Sequence, residues 1–177
     1  PVFAQLQNAI TKKRKTRISY NSFFENKIID LELSPYHLMY NHRAWYVVGF
    51  SGLHNSIRTF KLNRIKELQT LDKCFLDSEN FDLQDYLGRA WSMIPEGRIY
   101  NVKLRFLPMV AENVIEVQWH STQTVKRNSD GSAVVEFRVD GLGEITWWIL
   151  GYGDQVQVLA PKELRNKVMQ AAKNAIK

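Results

Sequence analysis

The sequence has a single cysteine, Cys74, in 177 residues, so no internal disulfide can form, and no other ligand type stands near it at zinc-site spacing. A reducing compartment is the expectation, with the cytosol as default. Long apolar runs are missing as well. No stretch approaches the ~18 residues of a membrane span, and Pro1-Val2-Phe3-Ala4-Gln5 lacks the charged and apolar regions of a signal peptide. A start at Pro1 fits either loss of an initiator methionine or release from a longer protein. Catalytic signatures are equally scarce. The four histidines (His37, His42, His54, His120) form no HExxH, Cys74 has no activating neighbour, Ser51-Gly52 is not a nucleophile elbow, and there is no Gly-rich phosphate loop. The expectation is a protein that is not an enzyme and holds no metal or cofactor, although a triad assembled in space would leave no such local mark.

What is present is apolar content of 45%, enough for one generous core or two modest ones. The net charge of +6 is uneven: residues 1–80 carry 12 Lys and Arg against 7 Asp and Glu, and residues 99–177 carry 10 against 8. A mildly basic face of this kind favours polyanions and is equally compatible with plain solvation.

The chain opens with Phe3, Leu6, Ala9 and Ile10 at the three-four spacing of an amphipathic helix. Lys12-Lys13-Arg14-Lys15 then places positive charge at the helix's negative end. From Thr16 the pattern becomes short β-type runs: Thr16–Tyr20, Ile28–Leu33, His37–Tyr40, Arg43–Ser51, Ser56–Leu62 and Ile65–Leu71. A helix followed by such strands describes a small, strongly bent sheet closing into an SH3-like or Sm-like barrel, here residues 1–76.

Residues 77–98 read as a linker with a short helix. Asp82 is the N-cap, Asp85 the third helical position, and Phe81 and Tyr86 fit a hydrophobic staple. Pro95-Glu96-Gly97 turns the chain into the last part. Residues 99–177 then give Ile99–Phe106 (strand), Pro108–Val117 (helix), His120–Lys126 and Ala133–Val139 (strands about the Ser129-Asp130-Gly131 turn), Gly143–Leu150 (helix), Gln155–Leu159 (strand) and Pro161–Ile176 (helix). The order βαββαβ plus a C-terminal helix is that of a ferredoxin-like domain. The fold class is therefore α+β.

Arg58 is the most informative residue. In Arg58-Thr59-Phe60-Lys61-Leu62 alternation puts it on the side of Phe60 and Leu62, an arginine aimed toward apolar neighbours. Such a guanidinium requires an internal carboxylate or an anion from outside. Asp30 and Glu32 are the internal candidates, but they are opposite in parity to Ile29, Leu31 and Leu33 and so face solvent. Arg64 closes the same segment, either as a second phosphate contact or as a tie across a turn. Trp45 and Tyr46 point to opposite faces; Trp45 suits the core, and Tyr46, with its hydroxyl, suits a ligand wall. His37 is a candidate phosphate or base donor or else a satisfied structural histidine, and Arg43 and Lys61 are rim charges. Trp147 and Trp148, about 100° apart on a helix, divide between core and domain interface.

Three stretches in register, Leu33-Ser34-Pro35-Tyr36-His37-Leu38, Arg43-Ala44-Trp45-Tyr46-Val47-Val48-Gly49-Phe50 and Arg58-Thr59-Phe60-Lys61-Leu62-Asn63-Arg64-Ile65, resemble the WYL-domain transcriptional regulators of bacteria. The name-giving triplet is Trp45-Tyr46-Val47, with Val in place of Leu. Phe81-Asp82-Leu83 and the tail from Trp147 to Arg165 look like the extension that often follows a WYL domain. The resemblance implies an Sm-like sensor barrel, a DNA-reading helix-turn-helix or winged-helix domain N-terminal to it and outside these residues, and a cytoplasmic homodimer. It also implies an effector, single-stranded nucleic acid or a nucleotide, for which the side chains read above offer Arg58, Arg64, Tyr46, His37, Arg43 and Lys61 as contacts. The competing reading is an interaction or structural module whose basic face docks an acidic protein.

Overall fold

A computed structural model describes residues 1–76 and 81–176. The chain divides into two compact units, Pro1–Asp85 and Tyr86–Lys177.

The first unit begins with α1 (Val2–Thr11), which buries Leu6 and Ala9, two of the four residues its periodicity marks as the inner stripe. The helix stops at Thr11; Lys13 adopts a positive φ of 50° and Arg14 already belongs to the first strand. Five antiparallel strands follow: β1 (Arg14–Ser22), β2 (Lys27–Asn41), β3 (Ala44–Ser51), β4 (Ser56–Lys61) and β5 (Ile65–Cys74), in the order β4-β3-β2-β1-β5.

Two expected strands are one. The runs Ile28–Leu33 and His37–Tyr40 merge into β2, because Pro35 is accommodated by a register shift between Pro35 and His37 instead of ending the strand. Opposite Pro35 stands Gly49, where a Cβ would lie 2.3 Å from the Ser34 carbonyl oxygen. The bend in β2 therefore depends on a residue without a side chain on β3.

The expected closed barrel is not found: among the described residues β4 and β5 do not pair. A 3-10 turn at Leu62–Arg64 carries the chain from one edge of the sheet to the other, and β5 then pairs with β1. At the β4 edge the Lys61 N–H donates to the Tyr20 hydroxyl at 3.3 Å, so a side chain stands where another strand would. The core lies on the face covered by α1 and holds Leu6, Ile18, Leu31, Leu33, Val47 and Phe60.

After the described part of the linker, Asp82 caps α2 (Leu83–Leu87) by accepting the Asp85 N–H at 2.8 Å. Phe81 packs its ring on Tyr36, 5.0 Å between centroids.

The second unit runs β6 (Ile99–Phe106), α3 (Pro108–Ile115), β7 (Thr124–Arg127), β8 (Ala133–Asp140), α4 (Gly143–Leu150), β9 (Val156–Ala160) and α5 (Lys162–Ala175). Its sheet is antiparallel throughout, in the order β7-β8-β6-β9. β7 is shorter than the run His120–Lys126, since His120 to Gln123 form a turn in which Thr122 donates its N–H to His120 Nδ1 at 3.2 Å. Alternate residues of β6 and β8, among them Val102, Leu104, Phe106, Val135, Phe137 and Val139, make the core with Ile145, Ile149 and Leu164 from the helices. Trp148 joins it, contacting the rings of Trp91, Trp119 and Phe106, whereas its neighbour Trp147 is 73% exposed.

Candidate anion-binding site

Register fixes which first-unit side chains share a face. Arg58 pairs with Gly49, and Phe60 with Val47, so Arg58 does lie on the core side of the sheet. It is nonetheless exposed: Phe60 is the last core residue of β4, and toward its start the strand runs beyond the ground covered by the core. The expectation of a guanidinium aimed into apolar surroundings is corrected to one standing at the open rim of that face. Neither internal carboxylate neutralises it. Glu32 pairs with Arg17 at 3.5 Å and Lys73 at 3.1 Å, and among the described residues Arg58 has no carboxylate within ion-pair distance.

The acidic group nearest in influence is Glu25, in the turn between β1 and β2. Its carboxyl is held below the ordinary carboxylate range, first by the hydrogen bond from His54, and in smaller part by the charges of His54 and Arg58. His54 Nε2 lies 3.0 Å from Glu25 Oε1, and its Nδ1 lies 2.7 Å from Ser51 Oγ. The Ser22 hydroxyl donates to the other Glu25 oxygen. Serine, histidine and carboxylate thus stand in relay order, a spatial grouping that no local motif announces. Ser51 is fully buried, so the relay does not present a nucleophile.

The same turn receives the second arginine. The Arg64 guanidinium lies 3.8 Å from the centroid of the Phe23 ring, a cation–π contact. Phe23 is 66% and Phe24 is 96% exposed. Arg64 therefore rests on the Ser22–Asn26 turn through the exposed Phe23 ring, and the charge of Arg58 reaches Glu25 in the same turn.

The other candidates are elsewhere. Tyr46 pairs with Lys61 on one side and Met39 on the other, and His37 pairs with Val48, which puts Tyr46, Lys61 and His37 on the face opposite Arg58. Arg43 occupies the β2–β3 turn at φ 63°, apart from both groups. The assignment of Trp45 to the core needs correction too. It lies on the core side but 40% exposed, its ring against Phe3 at 4.7 Å and Tyr40 at 5.4 Å.

Sequence reasoning misses Glu25, His54 and Phe23. Ser51 to Asn55 reads as a plain connection, and the histidine's partner is 29 residues away. The one available signal is Phe23-Phe24: two large apolar rings in a tight turn have no core to enter.

Among the described residues no helix is long and apolar enough to cross a membrane, and no group of three or more His, Cys, Asp or Glu is placed to hold a metal ion.

Comparison with known proteins gives two family matches, a WYL domain over residues 1–70 and a WCX domain over residues 98–176. The Uncharacterized HTH-type transcriptional regulator YobV of Bacillus subtilis (strain 168) is 26% identical over 147 residues, 78% of this chain and 44% of that protein. Among solved structures, a CRISPR Cas-related protein superposes with a TM-score of 0.60 at 11% identity, covering 96% of this chain and 48% of the other. Proteasome accessory factor B/C (PafBC) of Arthrobacter aurescens gives a TM-score of 0.42 at 19% identity over 98% of this chain and 26% of its own. The chain spans less than half the length of each of these relatives.

Proposed function

Since the chain belongs to the WYL-domain family, a WYL domain followed by a WCX domain, we propose that it is the sensing part of a cytoplasmic transcriptional regulator. Its effector is single-stranded nucleic acid or a nucleotide, bound through phosphate at Arg58 and Arg64. A domain elsewhere in the full protein reads DNA. The first unit then has the curvature of an Sm-like barrel left open between β4 and β5. The strand order β7-β8-β6-β9 supports a ferredoxin-like second unit that serves homodimerisation.

The observation that carries the reading is that two guanidinium groups bear on one turn: Arg58 acts through its charge on Glu25, with no carboxylate at ion-pair distance among the described residues, and Arg64 rests on the exposed Phe23 ring. Arginine's planar fork fits phosphate oxygens, and bases stack on rings with roughly 1–3 kcal/mol each. Tyr46, Lys61, His37 and Arg43 serve a longer ligand that wraps the sheet edge, and contribute little to a mononucleotide. Binding here is without turnover. The effector acts by favouring one arrangement of the protein over another, which requires different affinity for the two.

A binding screen of short single-stranded DNA, RNA and cyclic nucleotides against the parent chain and Arg58→Ala tests the proposal. Capture of one of these by the parent and its loss in the variant supports it. If none binds and an acidic protein does, the basic face is a docking surface and the effector reading is wrong.

A further inference from the structure

Glu25 is the charge that opposes an incoming anion at Arg58, and its carboxylate is held ionised by a donor on each oxygen, His54 Nε2–H on one and the Ser22 hydroxyl on the other. His54 is in turn anchored at Nδ1 by Ser51 Oγ, 2.7 Å away. The hydroxyl of Ser51 can donate to a neutral imidazole or accept from a protonated one, so His54 can gain a proton without losing either hydrogen bond. Gaining it changes the His54–Glu25 pair from a net negative charge to a neutral one.

We infer that anion binding at Arg58 is proton-linked: His54 takes up a proton as a phosphodiester is bound, and the site therefore binds more tightly as the medium is acidified. The inference rests on the reading of Arg58 as an anion contact and adds the regulation of that site. The charged groups at the pair are Glu25, from the turn between β1 and β2, which meets His54 directly, and Arg58, from β4, whose charge acts on Glu25. Arg64 approaches the same turn through Phe23. His54 and Glu25 are only partly shielded, with side-chain exposures of 20% and 25%, so protons exchange freely while the pair is wrapped enough for its charge to be felt. A unit charge removed roughly 6–8 Å from a phosphate in water-like surroundings alters affinity by roughly two- to threefold. Linkage is reciprocal: a bound anion raises the proton affinity of His54 by the same factor.

The test uses probes whose own charge is constant across the range, a short oligothymidylate without terminal phosphate and a 3′,5′-cyclic nucleotide, titrated into the full chain between about pH 8 and about pH 5.5. The expected result is a roughly two- to threefold gain in affinity on acidification for whichever probe binds. His54→Gln should bind at the weak level at every pH, and Glu25→Gln should bind more tightly than the parent at the alkaline end of the range. Probe binding to the parent should take up protons from the medium, and probe binding to His54→Gln should not. A parent that binds through Arg58 with no pH dependence, or a pH dependence that survives in His54→Gln, overturns the proton linkage and leaves the effector site standing. No binding of either probe, or binding indifferent to Arg58→Ala, overturns both.

Discussion

Glu25 and His54 are 29 residues apart in the chain and 3.0 Å apart in space. The contact joins the β1–β2 turn to the β3–β4 loop, two connections that the sheet leaves at its rim. Glu25 has its carboxyl pKa lowered in the folded protein, chiefly by the His54 hydrogen bond. The stability this supplies is present above the unfolded-state value, about 4.3, and is lost as pH falls through the lowered folded value. Urea midpoints of the parent and Glu25→Gln should differ near neutral pH and draw together in acid. A gap that stays constant down to about pH 2.5 would show that the carboxylate charge contributes nothing.

Gly49 is needed for space. A Cβ there would lie 2.3 Å from Ser34 O and 3.0 Å from Pro35 Cα, both backbone atoms of the bent β2. Gly49→Ala should destabilise the first unit by roughly 1–3 kcal/mol, read as a lower denaturant midpoint. Arg58, the partner of Gly49 across the β3–β4 pair, would be displaced with it.

In the second unit Glu144 receives the backbone N–H groups of Ser92, Met93 and Ile94 at 2.9, 3.0 and 3.2 Å. Glu96 answers by receiving those of Leu142 and Gly143 at 3.2 and 2.8 Å, at the start of α4. Two carboxylates thus fasten the stretch before β6 to the start of α4. Glu144→Ala should cost roughly 1–3 kcal/mol, because partly buried amides are deprived of a charged acceptor. Hydrogen exchange at Met93 should accelerate more than exchange in β8.

His120 is buried, stacked parallel on Trp91 with ring centroids 5.9 Å apart. Burial is the main cause of its lowered pKa, outweighing hydrogen bonds to the Arg89 and Ala90 backbone. The unfolded chain therefore binds a proton more readily, and stability falls as pH drops below the unfolded value of about 6.5 until the folded value is passed. Thermal unfolding should show that slope in the parent, and His120→Phe should flatten it.

The regular parts of this chain are legible because local pattern and burial agree. Phe3, Leu6, Ala9 and Ile10 mark α1; the alternation in β6 and β8 marks a one-sided sheet; Asp82 announces the cap that it makes. The departures have a common cause in long-range geometry. Pro35 reads as a break and is a bulge, since Gly49 lies across from it in a strand that local pattern does not pair with it. Barrel closure depends on whether β5 reaches β4, which strand patterns do not encode. Parity places Arg58 on the correct side, yet parity does not tell where along a strand the core ends. Glu25 and His54 are invisible in the sequence because neither carries a motif and their meeting is made by the fold.

The most direct measurement is the salt dependence of oligothymidylate affinity for the parent, Arg58→Ala and Arg64→Ala. Binding should be weaker in both variants, with a slope of log affinity against log salt that is shallower by about 0.7 for each phosphate no longer neutralised. Unchanged slopes with unchanged affinities would contradict it.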